Sequence, residues 1–459
     1  MTAIIKSTNQ FISLSSFQKL GFWDYYTLSS KASIFSNYQL VELGTVIKQR
    51  KESIVIDDAK IYQRCRVQLY GNGVVLRDQN GIEGKEIKTK KQQVCKTNDF
   101  LVAEIDAKFG GYGIVPTELN GAIVSSHYFL FEIDTTQLLT EFLEIVVKCY
   151  DFSKQVKATG STNYSAIRPY HVLEYIIPLP SIEEQHRLVQ AYKYRIKEAG
   201  ILAANAKTLE DGIEIYLLKE LEVKKGNVIL TNIGLGFITY KEIERWALSH
   251  LLKQRLYSFK NVKHQIMPIK RLLTFFEGGK TPSTARNDFW DGDIYWTSAK
   301  DMKELYLNSA QDKITSLAIK EGGLKIYPKG TIIGVFRSGI LRHSFPVALT
   351  EIDTAINQDI KAMGVNEELI LKDYFLNYLN IFQKMILEMS QKIGVTVESI
   401  NTDEFLEVPV IIPPKEIQRS ISNQIQLIRS EVNNKKSQAD QNLQLAIQEF
   451  ESKIFMPCN

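Results

Sequence analysis

Cysteine is scarce in this chain, and its few cysteines lie far apart. The 459 residues include four, Cys65, Cys95, Cys149 and Cys458, and no two of them form a C-x-x-C pair. Zinc ribbons and disulfide frameworks both need cysteines at short, regular spacings. The sequence therefore predicts neither kind of site, and reduced thiols in a cytoplasm fit this pattern best.

Long apolar runs are also absent. No stretch of the sequence reaches the ~18 uninterrupted apolar residues typical of a membrane span. Residues 1–16 lack the charged start, the apolar run and the small-residue cleavage site of a secretory signal. We therefore expect a soluble cytoplasmic protein that contacts no membrane.

An excess of one charge sign is missing as well. The 56 Lys and Arg residues against 52 Asp and Glu residues leave a formal net charge of +4. A total this small permits a polyanionic partner without requiring one, because local clustering of charge sets the electrostatic field. With 44% hydrophobic residues, the chain is long enough for two or three domains that each bury a core.

The motifs of common DNA-modifying enzymes are missing too. The sequence has neither the glycine-rich cofactor loop nor the N/D-P-P-Y/F loop of a methyltransferase that acts alone, and it has no G-x-x-x-x-G-K-[ST] loop for ATP. Its six histidines form no i, i+4 pair that could bind a metal on one helix, and no G-x-S-x-G pattern occurs. These absences favour a binding protein over an enzyme.

One short pattern leaves an enzymatic function as an alternative. Residues 104–108, Glu-Ile-Asp-Ala-Lys, contain the D-x-K arrangement with which many nucleases hold Mg²⁺ beside a scissile phosphate. Asp106 and Lys108 would then be the catalytic pair. In the simpler interpretation Lys108 only contacts a phosphate, since such short patterns recur by chance and the second half of the chain has no counterpart.

What the sequence does contain is an internal repeat. The pattern P-x-x-E-x-Q occurs at residues 180–185 and again at 413–418, and a second shared pattern occurs at residues 38–43 and 264–269. A weaker landmark lies at Gly160 and Gly394, and Trp23 and Trp246 would occupy matching lead-in segments. Because the landmarks recur in the same order, we predict two diverged copies of one module.

The repeat divides the chain into six segments. They are an N-terminal helical lead-in (1–37), a first globular domain (38–182), a central spacer helix (183–225), a second helical lead-in (226–262), a second globular domain (263–415) and a C-terminal spacer helix (416–459). Strand patterns occur at residues 42–48, 66–70, 73–77, 100–105, 127–133, 293–296, 330–336 and 345–349, and a helix pattern occurs at 369–390. The predicted fold class is α+β, with two domains of mixed α/β structure.

The segments after the two P-x-x-E-x-Q patterns predict long helices that pair as an antiparallel coiled coil. They carry apolar residues at steps of three and four and contain no proline. At ~1.5 Å per residue, ~40 residues reach ~60 Å, which is longer than a small domain is wide. The predicted pairing residues are Leu188, Leu202, Leu209, Ile213 and Tyr216 in the first helix and Ile421, Ile425, Ile428, Val432, Leu443 and Phe450 in the second.

The second globular domain carries a more specific motif. Residues 278–283, Gly-Gly-Lys-Thr-Pro-Ser, are followed by Phe-Trp-Asp-Gly-Asp-Ile-Tyr-Trp at 289–296. This stretch resembles the G-x-T-P-S and Y-W-x-G-x-I-P-W motif of target-recognition domains in the specificity (S) subunits of Type I restriction-modification systems. Tyr295 stands where that family usually has proline, and the first copy lacks the G-x-T-P-S loop. With the repeated P-x-x-E-x-Q pattern, the likeness extends over most of the chain.

The resemblance implies a DNA-binding subunit with no catalysis and no cofactor of its own. Each recognition domain would read one half of a split double-stranded DNA target, and the paired helices would hold the halves roughly one helical turn apart, because ~60 Å is less than two turns of ~34 Å. The implied partners are two methyltransferase subunits, which bind S-adenosylmethionine, and two restriction/translocase subunits, which use ATP and Mg²⁺.

DNA contacts are expected from loops that are rich in hydrogen-bond donors. Freed backbone amides, hydroxyls and ammonium groups suit phosphates, whereas Arg, Asn and Gln side chains read base edges. The candidate contact residues are Lys280, Thr281, Ser283, Arg286, Ser298, Lys300, Arg337, Arg342 and His343 in the second domain and Arg77, Lys108 and Tyr112 in the first. Trp290 and Trp296 are predicted to lie in the core. Besides the nuclease, a coiled-coil scaffold without nucleic acid is the remaining alternative.

Overall fold

Residues 34–156, 166–225, 257–259, 262–392 and 397–455 are described by the computed structural model. The chain divides into a first unit, residues 1–203 with 436–459, and a second unit, residues 204–435. Trp23, Trp246, Gly160 and Gly394 lie outside the described residues, as does most of both expected lead-in segments.

Short strands bounded by turns build the first unit. They are β1 (Leu40–Glu42), β2 (Ile47–Arg50), β3 (Ser53–Val55), β4 (Ile61–Tyr62), β5 (Cys65–Val67), β6 (Val74–Leu76), β7 (Ile82–Glu83), β8 (Lys91–Val94), β9 (Phe100–Ala103), β10 (Tyr112–Ile114), β11 (Ile123–Val124), β12 (Tyr128–Ile133) and β13 (Ile176–Pro178). The short helices are α1 (Thr140–Val146), α2 (Tyr150–Ser153) and α3 (Pro169–Leu173), and the long helix α4 (Ile182–Glu220) begins in this unit.

An antiparallel sheet of order β10-β9-β12-β2 forms the centre of the first unit. Phe100 and Val102 of β9 belong to one hydrophobic core, and Leu101 and Ala103 belong to another. Successive residues of a strand point to opposite faces. A strand that is buried on both faces needs an apolar residue at every position, which explains the unbroken Phe-Leu-Val-Ala run of β9.

The second unit repeats this plan with a strand set of its own. They are β14 (Lys224–Lys225), β15 (Tyr257–Ser258), β16 (Gln265–Pro268), β17 (Leu273–Gly278), β18 (Trp290–Thr297), β19 (Tyr306–Leu307), β20 (Asp312–Ile314), β21 (Ile326–Tyr327), β22 (Ile332–Val335), β23 (Val347–Thr350), β24 (Thr354–Ile356), β25 (Ile360–Val365) and β26 (Pro409–Ile412). The helices are α5 (Ser316–Gly322), α6 (Lys372–Ile381), α7 (Gln383–Ser390), α8 (Thr402–Leu406) and α9 (Lys415–Ile454), the last of which ends in the first unit.

The strand orders of the two units match. The main sheet of the second unit has the order β17-β25-β22-β23-β19, so its first four strands correspond to β2-β12-β9-β10, and β19 is added at the edge. A second sheet of order β20-β18-β24-β21 packs in the same unit. In both units a short strand that precedes the sheet pairs with the strand that precedes a long helix: β1 pairs with β13, and β16 pairs with β26.

The glutamine of each P-x-x-E-x-Q pattern explains why the pattern recurs. Gln185 is fully buried; its carbonyl accepts a hydrogen bond from the Leu139 amide at 2.8 Å, and its side-chain amide donates to Pro180 O at 2.9 Å. Gln418 makes the same contacts with Leu371, at 2.8 Å, and Pro413, at 2.8 Å. A buried amide must have hydrogen-bond partners, so in each copy this side chain fixes the start of the long helix to its own domain.

Two sequence-based assignments of secondary structure need correction. The strand expected at residues 42–48 is interrupted, because Leu43–Thr45 form a 3-10 helix between β1 and β2. The helix expected at 369–390 is two helices, α6 and α7, that meet at Phe382. Both regions have apolar residues on either side of the break, and hydrophobic periodicity alone does not mark such breaks.

The two long helices are confirmed. The helix α4 has 39 residues and α9 has 40. Within the first unit, Leu188 of α4 lies in the same core as Phe450 and Ile454 of α9. Arg195, further along α4, donates to Glu449, at 2.5 and 3.1 Å, which lies earlier in α9 than Ile454. The two helix segments of this unit therefore run in opposite directions.

The second unit contains the remaining halves of both helices. Ile213 and Leu217 of α4 share a core with Ile421 and Ile425 of α9.

None of the helices in the described ranges combines the length and the apolar character that crossing a membrane requires.

Burial corrects one of the predicted pairing residues. Ile425, Val432, Ala439 and Ala446 of α9 follow one another at steps of seven and are buried, whereas Leu443 is 46% exposed. The prediction that Leu443 lies in the contact between the two helices is therefore wrong. Of the other predicted pairing residues, Leu188, Ile213, Ile421, Ile425, Val432 and Phe450 are buried, and Leu202, Leu209, Tyr216 and Ile428 are half-buried.

Candidate nucleic-acid interface

The glycine-rich loop of the second unit passes very close to the strand β24. A β-carbon on Gly279 would lie 1.9 Å from the carbonyl oxygen of Ile356, so no other residue fits there without a shift of the backbone. The next amide, of Lys280, donates to the same oxygen at 3.0 Å. The second glycine of the motif is thus required by a close backbone approach.

Two tryptophan side chains donate hydrogen bonds to backbone carbonyl oxygens of this loop. Trp296 Nε1 donates to Lys280 O at 3.1 Å, and Trp290 Nε1 donates to Ser283 O at 3.2 Å. The two rings meet edge to face with centroids 5.2 Å apart. The prediction that Trp296 lies in the core is confirmed, while Trp290 is half-buried. No sequence pattern indicated the indole hydrogen bonds, which link the two parts of the motif.

The loop presents its polar groups outward. Lys280, Thr281 and Ser283 are exposed, and the Thr281 hydroxyl bonds to the side chain of Gln358, which is also exposed. The Lys361 ammonium lies beside Gly278, 2.7 Å from where a β-carbon would stand. Exposed ammonium and hydroxyl groups on a fixed loop are donors suited to phosphate oxygens.

Other predicted contact residues of the second unit are engaged within the protein. Arg286 donates two hydrogen bonds to Asp288, at 2.6 and 2.8 Å, contacts Glu321 at 3.0 Å and stacks on the Phe289 ring at 4.2 Å. Hydrogen bonds to these two carboxylates raise the pKa of Arg286. Its charge is thus paired within the protein, and a DNA phosphate would compete with these two carboxylates for the guanidinium.

Lys300 and Ser298 are similarly occupied. Lys300 pairs with Asp312 at 2.8 Å, and this hydrogen bond raises the pKa of Lys300. Ser298 is buried and forms a capping box with Asp301 at the start of the 3-10 helix Ala299–Asp301. Ser298 is thus buried in the domain, and its predicted DNA contact does not fit this position, whereas for Lys300 and Arg286, which are exposed and ion-paired, a DNA contact stays a prediction.

The second predicted loop follows β22 and reaches the turn at residues 357–359. The amides of Phe336 and Arg337 donate to Asp359 O at 2.7 and 3.3 Å, and Thr281 of the glycine-rich loop bonds to Gln358. The structure therefore brings the two predicted loops to one turn, which sequence reasoning had not singled out. Gln358 on this turn joins the candidate base readers because its amide can donate and accept.

Within the second loop, the three basic side chains differ. Arg342 pairs with Glu398, and a hydrogen bond from Arg342 lowers the pKa of Glu398. Arg337 and His343 are exposed, and Arg337 has no ion-pair partner among the residues that the structure describes. Arg337 is therefore the predicted guanidinium of this unit that is available for a ligand.

The predicted DNA-contact residues of the first unit also differ in their surroundings. Tyr112 is 3% exposed and packs edge to face on Phe152, with centroids 5.6 Å apart, so its predicted contact with DNA does not fit its position. Lys108 lies in the 3-10 helix Asp106–Phe109 with its ammonium 5.0 Å from the centre of the Phe109 ring. Arg77, just after β6, is exposed and has no ion-pair partner in the described part of the chain.

The glutamate beside the D-x-K pattern is paired with basic side chains. Glu104, which precedes Asp106, bonds to His127 at 2.8 Å and to Arg168 at 2.7 Å. Across the described ranges, no group of three or more His, Cys, Asp or Glu residues is arranged to hold a metal ion.

Comparison with known proteins identifies the second half of the chain. Residues 261–439 match the family described as the Type I restriction modification DNA specificity domain. The chain is 31% identical over 162 residues to the Type I restriction enzyme EcoR124I/EcoR124II specificity subunit of Escherichia coli, covering 35% of this chain and 40% of that protein. It is 29% identical over 182 residues to the MjaIX specificity subunit of Methanocaldococcus jannaschii, covering 38% of this chain and 40% of the relative.

The fold is similar over a greater length. A chain from a solved structure on complex assembly and conformational transition of the type I R-M system superposes with a TM-score of 0.60 at 16% identity, over 91% of this chain and 98% of that one. The sequence matches span only 40% of each curated relative. Residues 261–439 are therefore similar to a Type I restriction modification DNA specificity domain, and the predicted resemblance to the specificity subunits of these systems is confirmed.

Proposed function

We propose that the chain reads a two-part double-stranded DNA target, with one half-site for each unit, and that it performs no catalysis itself. The observation that carries this proposal is the repeated framework. Both units have the same strand order and the same glutamine contact at the start of a long helix, yet the glycine-rich loop occurs in the second unit alone. An equivalent framework with different loops suits two half-sites of different sequence.

The contact groups support DNA as the ligand. In the second unit, Lys280, Thr281 and Ser283 are phosphate donors, while Arg337 and Gln358 can make paired hydrogen bonds with base edges. These side chains lie on loops around one turn and are exposed. Arg337 and Gln358 would read the base sequence. The phosphate donors would fix the register of the protein on the DNA backbone.

The proposal includes partners. Two methyltransferase subunits that bind S-adenosylmethionine and two restriction/translocase subunits that use ATP and Mg²⁺ would dock on the chain and supply the chemistry. The long helices α4 and α9, at ~1.5 Å per residue, each extend ~60 Å, so half-sites roughly one turn of DNA apart are expected.

Methylation mapping in the host tests this function. Host DNA would be sequenced for modified adenines with the gene present, deleted, and restored on a plasmid. We expect a split motif, two short half-sites around an unspecified gap, that disappears on deletion and returns on restoration. A continuous motif that depends on the gene would contradict reading by halves, and unchanged methylation would contradict a role in modification.

The nuclease alternative has its own test. Purified chain would be incubated with Mg²⁺ and supercoiled plasmid, beside the Asp106→Ala variant. We expect no cleavage by either protein. Cleavage by the natural chain that Asp106→Ala abolishes would instead establish the nuclease.

A further inference from the structure

The first unit contains a basic cleft that none of the sequence motifs indicated. Its volume is about 320 Å³, and its lining includes Arg64, Arg77, Lys88, Gln92, Ser125 and Tyr128. The strand β8 supplies Gln92, the segment before it supplies Lys88, Arg77 follows β6, and Ser125 and Tyr128 lie where β11 leads into β12. The cleft is therefore built by several elements of one unit, which fixes its shape.

Its positive charge is largely unneutralised. Arg64 is paired with Asp78 at 2.7 and 2.9 Å. In contrast, Arg77 and Lys88 are exposed, and neither forms an ion pair with any described residue. Arg66 on β5 is a third exposed cation. Burial raises the pKa of Tyr128, and the positive charges of Arg77 and Arg66 oppose that rise. Both guanidinium groups thus act on the tyrosine that lines the cleft.

Neutral hydrogen-bonding groups line the interior. Gln92 is 6% exposed; its amide nitrogen donates to Thr89 O at 2.6 Å, while its carbonyl oxygen has no hydrogen-bond partner among the described residues. The hydroxyls of Ser125 and Tyr128 also make no hydrogen bond within the described ranges. Glu86 contributes a carboxylate to the lining. A site with cations, amide and hydroxyl groups and one carboxylate offers both donors and acceptors for base edges, and its cations suit the adjoining phosphates.

The loop predicted to contact DNA in this unit has a different role. Phe109 O and Gly110 O accept hydrogen bonds from the amides of Tyr70 and Gly71, at 2.7 and 3.1 Å, and a β-carbon on Gly110 would lie 2.8 Å from the Gly71 nitrogen. This loop is therefore packed against the β5–β6 hairpin. Of the three residues predicted for this unit, only Arg77 lies at the cleft.

We propose that this cleft is the surface with which the first unit reads its DNA half-site. Arg77 and Tyr128 contact base edges, and Lys88 contacts phosphates together with Arg66, which lies on β5 outside the cleft lining. The inference rests on the proposed function, since it assumes that the first unit binds one half of a split target. It adds the location and the residues of that contact, which the glycine-rich motif of the second unit does not supply.

The test uses the full chain, bound to its methyltransferase partner if that partner is needed for binding. Fluorescence anisotropy would measure the dissociation constant for a duplex with the mapped motif and for duplexes in which one or the other half-site is scrambled. The variants are Arg77→Ala, Arg77→Lys and Lys88→Ala. The matched control is Lys51→Ala, which removes an exposed lysine of the same unit that has no ion pair among the described residues and lies outside the cleft lining.

We expect Arg77→Ala to weaken binding to the intact motif about 5- to 100-fold and to remove most of the penalty for scrambling one half-site, while the penalty at the other half-site stays. Arg77→Lys keeps the charge but not the planar fork, so it should lose the discrimination and keep much of the affinity. Lys88→Ala should weaken binding to all duplexes alike, and Lys51→Ala should change it less than about twofold.

The outcomes separate the cleft from the function. If the natural chain discriminates both half-sites and all cleft variants do so equally well, the cleft proposal is overturned and the proposed function stands. If the natural chain discriminates neither half-site, the proposed function itself fails. Circular dichroism spectra that match the natural chain would show that the variants are folded.

Discussion

At the scale of single residues, Gly279 makes the most restrictive contact of the candidate interface. A β-carbon there would meet Ile356 O at 1.9 Å. We expect Gly279→Ala to lower the free energy of unfolding by on the order of 2 kcal/mol or more, because backbone must move to accommodate it. Urea denaturation measures the effect. Gly339→Ala is the control, since a β-carbon there meets nothing within 4 Å, and equal stability losses in the two variants would contradict the argument.

The buried glutamines give a second residue-level prediction. Removal of the Gln185 side chain leaves the Leu139 amide and the Pro180 carbonyl without a partner in the protein interior. We expect Gln185→Ala, and likewise Gln418→Ala, to cost about 1–3 kcal/mol each. Thermal or urea unfolding would measure this loss. Gln190→Ala changes an exposed glutamine of the same helix and should stay within about 0.5 kcal/mol of the natural chain.

The sequence predicted exposed hydrogen-bond donors in the loops, but it did not show which of these donors are engaged in ion pairs within the protein. Arg286 and Arg337 are both exposed arginines in polar loops. Arg286 is paired with Asp288, two residues away, and with Glu321, 35 residues away along the chain, whereas Arg337 has no ion pair within the described residues. Charge pairing of this kind depends on how distant loops meet in the fold, and single-sequence patterns do not encode it.

At the scale of secondary-structure elements, the long helices were the most predictable part of the fold. Proline before each helix and an apolar repeat over many turns are local signals, and the observed starts at Ile182 and Lys415 lie one residue from those expected. The seam was harder to predict. Leu443 is more hydrophobic than Ala439 or Ala446, yet it points outward and the alanines are buried, because close helix packing favours small side chains that periodicity alone does not distinguish.

The helix α4 carries a glycine that offers an element-level prediction. Gly200 is exposed, and a β-carbon there meets nothing within 4 Å. Glycine in a helix interior costs roughly 0.5–1 kcal/mol relative to alanine. We therefore expect Gly200→Ala to stabilise the chain by about that amount, measured as a higher urea midpoint with an unchanged slope. Lower stability would show that the glycine serves a purpose that this helix geometry does not reveal.

At the scale of the whole molecule, framework and specificity are divided between different parts of the chain. The strand order, the short strand pairs β1–β13 and β16–β26, and the buried glutamines are common to both units. The loops that carry exposed cations are not shared, since the second unit uses the glycine-rich loop and the first has a cleft. Changes in these loops can therefore alter the DNA sequence read without disturbing the framework.

The charge of the whole chain gives the last prediction. With a formal net charge of +4, overall attraction to DNA is weak, so binding must depend on the few unpaired cations. Each lysine that contacts a phosphate contributes about 0.9 to the slope of log K against log salt concentration. We expect Lys280→Ala to make this slope less steep by about 0.9, as measured by anisotropy from 50 to 200 mM salt. Lys270→Ala removes an exposed lysine that is paired with Glu407 and should leave the slope unchanged. An unchanged slope in Lys280→Ala would mean that the glycine-rich loop does not touch the DNA backbone.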